Sequence, residues 1–113
     1  MRSTVKVSDI IRETICVACE DGQKVFEVLR QAILENRQIC VSFEGISWII
    51  PAFLNAAIGQ LYGEFSENKI DAIIAYTHLE EDDRALLLIV IDKAQRYYRN
   101  QEGYNNAMQE VLD

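Results

Sequence analysis

The sequence is poor in the residues that punctuate or cross-link a chain. It has one proline and five glycines, which excludes a collagen-like repeat or a flexible linker. Its three cysteines, Cys16, Cys19 and Cys40, are an odd number and speak against a disulfide framework. Basic residues are also scarce, 11 against 18 acidic, for a net charge of -7. They form no cluster, so a phosphate backbone would be repelled and no nucleic-acid partner is expected. No long hydrophobic run is present. The longest, Ala85–Ile91, falls far short of the roughly 20 residues that cross a bilayer. Met1–Asp9 has no apolar stretch either, so the expectation is a chain without signal peptide or membrane contact, located in the cytoplasm. Glycine-rich phosphate loops, H-E-x-x-H and G-x-S-x-G are all missing, and no cofactor is expected.

What is there is the material of one packed domain. Half of the 113 residues are apolar and 26% are charged, which suits a single core over residues 1–113. Thr4-Val5-Lys6-Val7 reads as a short strand, and Ile15-Cys16-Val17-Ala18 as a second, antiparallel one. Val25, Phe26, Leu29, Ala32 and Ile33 recur at helical spacing, so residues 21–36 should form an amphipathic helix. Ile39–Phe43 is nearly all apolar and suits a central strand. Glu44–Trp48 follows as a loop, and Pro51 opens a second helix over 51–65, with Phe53, Leu54, Ala57, Ile58 and Leu61 on its apolar side. Asn68-Lys69 reads as a turn and Ile70–Tyr76 as a strand. The acidic run Glu80–Asp83 sits where a helix dipole favours anions, at the head of a helix over roughly 81–100. Gln101-Glu102-Gly103 is the place for a break before a short final helix or frayed tail over 101–113. The alternation predicts an α/β fold, a mixed sheet of about four strands with three to four helices packed on it.

The most distinctive stretch is Phe43–Asn55, which leaves a hydrophobic strand, crosses a loop and enters a helix. Val41–Gly59, preceded by Glu20-Asp21-Gly22 and a helix, resembles the STAS-like domain family, with Phe53-Leu-Asn-Ala-Ala-Ile-Gly59 as its most specific part. That family comprises small bacterial and archaeal domains similar to the STAS domains of anti-sigma-factor antagonists. The resemblance implies a sheet with helices packed on it. It also implies a role in partner switching, often beside a histidine-kinase-like ATPase. Antagonist domains carry Asp-Ser-Ser-Gly at this helix start, with one serine phosphorylated. Here Ile50, Pro51, Ala52 and Phe53 stand in those places. The phospho-acceptor position is therefore Ala52, which has no hydroxyl to take a phosphate. Ser47 is the nearest hydroxyl, and a loop-capping role suits it better.

The resulting expectation is a non-catalytic, regulatory protein-interaction module. Ser47, Trp48, Ile50, Pro51, Ala52, Phe53 and Asn55 would meet a protein partner, with Trp48, Ile50 and Phe53 as apolar contacts and Asn55 as a polar one. Two alternatives stay open. One is a metal or redox protein using Cys16, Cys19, Cys40 and His78, since Cys16-x-x-Cys19 has the spacing of a redox pair or half a zinc site. The other is a homo-oligomer, and a homodimer is compatible with the interaction-module reading. Tyr97, Tyr98 and Tyr104 at helical spacing suit the edge of a core or a subunit contact.

Overall fold

The structure, a computed structural model, describes residues 2–112, with side chains from Arg2 to Asn100. It is an α/β fold, but every strand pairing is parallel rather than mixed. Strands β1 (Ser3–Lys6), β3 (Ile39–Ser42) and β5 (Ile74–Thr77) form a three-stranded sheet in that order. Val5, Val41 and Tyr76 lie in register across it. Strands β2 (Ile15–Cys16) and β4 (Trp48–Ile49) make a separate two-residue ladder. The segment after Glu13 is thus a parallel partner of the loop strand, not an antiparallel neighbour of β1. Arg2 holds the start of the larger sheet together. Its guanidinium donates to the carbonyls of Ile73 at 2.6 Å and Ile39 at 3.3 Å.

Five α-helices are present among the described residues, more than the three or four expected. The unexpected first one, α1 (Val7–Ile11), follows β1 without a loop and buries Val7 and Ile11. Five residues are too few for a periodic signal. It stops because Arg12 turns left-handed at φ 59, its N–H donating to the Ser8 carbonyl at 2.8 Å. Helix α2 (Cys19–Leu34) buries Val25, Phe26, Leu29, Ala32 and Ile33, the stripe read from the sequence. It ends at Asn36, left-handed at φ 56, a conformation asparagine tolerates well.

Helix α3 (Pro51–Ala57) is shorter than expected. After Ile58 the chain tightens into a 3₁₀ turn, Gly59–Gly63. The largest correction lies at α4 (Glu67–Ile73), where the sequence reads as a turn followed by a strand. Ser66 accepts the Lys69 N–H at 3.2 Å and so caps a helix. The apolar residues Ile70, Ile73 and Ile74 then fall at i, i+3 and i+4, a helical spacing inside an isoleucine-rich run. Only Ile74–Thr77 is strand. Helix α5 (Glu81–Leu112) runs on through Gly103 as one element.

Helix α2 packs on α3, and α5 crosses α3 and the 3₁₀ turn. One continuous core joins Leu29, Ile33, Ile39, Val41, Phe53, Leu54, Ile58, Leu61 and Ile70. Burying each such side chain is worth about 1.5–3 kcal/mol. This core fixes the end of β3 and the start of α3, between which the candidate site lies.

Candidate interaction site

The loop before α3 is held by the β2–β4 ladder. Ser47 donates twice to the Thr14 carbonyl, from its backbone N–H at 2.8 Å and from Oγ at 3.2 Å. The Ile50 N–H donates to the Cys16 carbonyl at 3.0 Å. Ser47 is therefore the pin that joins two segments, in keeping with the capping role expected of it. Alternation along the two short strands then sorts the side chains. Cys16 and Ile49 are register partners and point inward. Ile15 and Trp48 are register partners and point outward, 41% and 63% exposed, with Val17 beside them at 41%.

The seven expected contact residues divide accordingly. Ser47, Trp48, Pro51, Ala52 and Asn55 are exposed, and Ile50 is half-buried. Phe53 is not a surface contact. It is fully buried between α2 and the rest of the core, because it follows Pro51 by two positions and so falls on the inner side of α3. The apolar patch is built instead from Trp48, Ile15 and Val17. Sequence reading missed Ile15 and Val17. The signal was there, in a short strand whose alternate positions are apolar on both faces, but nothing in it named β4 as the partner.

Helix α3 also forms one wall of an open groove of about 730 Å³. Pro51, Ala52 and Asn55 line that wall, and Leu86, Ile89, Lys93 and Tyr97 of α5 line the other. Asn55 folds its amide against Gly59, where a side chain would collide with it.

A second, smaller cavity of about 330 Å³ lies at the carboxyl ends of β3 and β5, lined by Glu44, His78, Glu80 and Asp83 among others. Ser42, almost fully buried, accepts the Glu44 N–H at 3.2 Å, and its Oγ lies 3.3 Å from His78 Nδ1. The hydroxyl donates to that nitrogen when the ring is neutral with its proton on Nε2. His78 is exposed and left-handed at φ 58. A hydroxyl enclosed in this way, already engaged by a backbone N–H, is a structural ligand of the loop rather than a presented nucleophile.

The cysteines do not converge. Cys16 is buried in β2, Cys19 is exposed at the start of α2, and Cys40 is half-buried in β3. Among the described residues no three His, Cys, Asp or Glu side chains are placed to hold a metal ion. Burial pushes the Cys16 thiol up to about 12, with Asp21 and Asp83 adding to the effect. A redox cysteine needs the opposite shift.

The family comparison bears on the same stretch. The model for the STAS-like domain of unknown function (DUF4325) matches residues 21–84, more than half of the chain. The chain belongs to this family. The matched part of the STAS-like domain runs from α2 to the first turn of α5. It contains β3, the Ser47 loop and α3, and leaves β1, α1 and β2 before it. The Ile15 half of the apolar patch therefore lies outside the matched region and the Trp48 half inside it. No curated protein and no solved structure matches the chain. Among the described residues no helix is long and apolar enough to cross a membrane.

Proposed function

We propose that this STAS-like domain is a non-catalytic regulatory module that docks a protein partner on the face formed by Ile15, Val17 and Trp48 and the exposed start of α3. The observation that carries the reading is the outward pairing of Ile15 with Trp48. Large apolar side chains fixed on a hydrogen-bonded ladder keep their position without a partner, so little ordering entropy is spent on binding. Trp48, 63% exposed and followed in the chain by half-buried Ile50 and exposed Pro51 and Ala52, has the make-up of an interface anchor.

The partner we propose, by analogy with the anti-sigma-factor antagonists that STAS-like domains resemble, is a histidine-kinase-like ATPase of the anti-sigma kind. Ala52 stands exposed at the α3 start and has no hydroxyl to phosphorylate. Release by phosphate at this position is therefore not available to this chain, and occupancy would follow the amount of partner.

The test is photo-crosslinking in native lysate from a benzoylphenylalanine placed at residue 48, alongside capture by wild type and by a Trp48→Ala, Ile15→Ser variant. One ATPase crosslinked at residue 48, and lost from the variant, is the expected result. Capture unaffected by the variant would remove this face as the docking site. A crosslinked protein of another class would keep the face and discard the ATPase.

A further inference from the structure

We propose that the groove between α3 and α5 receives the C-terminal part of α5 from a second copy of this chain, so that two chains pair antiparallel about a two-fold axis. The proposal does not rest on the docking reading above, although both use Pro51 and Ala52 at the start of α3.

The groove is apolar and open. Val90 and Ala94 form its floor, and Ile89 on its α5 wall is 52% exposed. Along α5 its lining residues run from Leu86 to Tyr98, roughly 18 Å at 1.5 Å per residue. Among the described side chains, the last on α5 to reach the body are Tyr98, which lies over Gly63, and Arg99, which forks onto Glu67 at 2.7–2.8 Å. The helix nevertheless continues to Leu112, another roughly 20 Å.

In the sequence of that continuation, Tyr104, Ala107, Met108, Val111 and Leu112 recur at i, i+3, i+4, i+7 and i+8, the spacing of an amphipathic helix with something to cover it. The lengths of groove and continuation match. The charges match as well. Residues 100–113 contain Glu102, Glu110 and Asp113 and no lysine or arginine. The charged residue lining the groove is Lys93, with Arg96, paired to Asp92 of the same helix at 3.2 Å, one turn on.

A continuous helix cannot lie in its own groove, because turning back needs a break and a connecting loop. A second copy supplies the same segment with no break. Antiparallel pairing makes the contact reciprocal: each chain gives a tail and receives one, which closes the assembly at two.

The test is sedimentation equilibrium of the full chain over a wide concentration range, with two point variants, Ile89→Glu in the groove and Met108→Glu in the tail. Ile89 is 52% exposed, and circular dichroism checks the fold of both variants; Ile89→Ser and Met108→Ser stand in if either charge perturbs it. Wild type should sediment at twice the chain mass. Each variant alone should raise the dissociation constant by about tenfold or more. An equimolar mixture of the two should recover part of the dimer, because one of the two contacts in the mixed pair joins an intact groove to an intact tail. A monomeric wild type, a dimer indifferent to both variants, or a mixture with no recovery would each overturn the proposal.

Discussion

Gly22 of α2 lies directly against the backbone of Phe53 in α3. A methyl group at Gly22 would stand 2.8 Å from the Phe53 carbonyl oxygen and 2.8 Å from the Ala56 Cβ. The two helices approach so closely only because no side chain separates them. In an open helix, glycine to alanine would gain about 1 kcal/mol. Here the neighbour is backbone and cannot move aside alone, and overpacking of this kind costs about 1–3 kcal/mol. Gly22→Ala should therefore lower stability in urea melts despite the better helix former. A stabilised variant would show that α2 and α3 sit further apart.

Trp48 and Phe53, both read from the sequence as contact residues, should separate cleanly by stability. Trp48→Ala removes a side chain that is 63% exposed, and its effect on the unfolding free energy should stay within about 0.5 kcal/mol. Phe53→Ala empties the core and should cost about 3–5 kcal/mol. Denaturant titration of the two variants checks this directly.

Cys19 and Cys16 should differ sharply in reactivity. Iodoacetamide at pH 8 should label exposed Cys19 first and reach Cys16 only when the chain is unfolded. The same burial predicts a loss of stability in alkali. The Cys16 thiol is pushed up to about 12 in the fold and the Tyr62 hydroxyl likewise to about 12, whereas unfolded thiols ionise near ~8.5 and phenols near ~10. Above pH ~8.5 the unfolded chain holds fewer protons than the folded one, so stability falls as pH rises towards 12. Melting temperatures between pH 7 and 11 give the slope, and Cys16→Ala should reduce it between pH 8.5 and 10.

The Ser42–His78 contact makes a third pair of variants informative. Ser42→Ala leaves the Glu44 N–H without its acceptor and should cost about 1–2 kcal/mol. His78→Gly loses one hydrogen bond but removes a left-handed non-glycine residue, a conformation that itself costs about 1–2 kcal/mol. The two effects nearly cancel. Thermal melts should rank Ser42→Ala clearly below His78→Gly, and the reverse order would mean that the imidazole does more than cap the serine.

Much of this architecture is legible in the sequence, and the misreadings share a cause. Helix α2 and strand β3 follow from spacing because one burial pattern runs through each. Residues 67–73 defeat the same method. Ile70, Ile73 and Ile74 satisfy a helix, and Ile70, Ala72, Ile74 and Tyr76 satisfy a strand; the decision falls to the Ser66 cap, a single hydrogen bond. The loop was identifiable as the distinctive stretch from Trp48, Ile49 and Ile50 around Pro51. Which of them face water was not, since that depends on Ile49 pairing with Cys16, a contact between segments far apart in the chain. Phe53 went the wrong way for the same reason: α2 occupies the side of α3 on which it lies.

The pin between Ser47 and Thr14 joins positions 33 residues apart. Neither half of the apolar face is a surface by itself. Emerging from a ribosome, the chain has Ile15 before it has Trp48, and the two become neighbours only once β4 pairs with β2. A partner that reads both residues at once therefore recognises finished molecules and passes over nascent or partly unfolded ones.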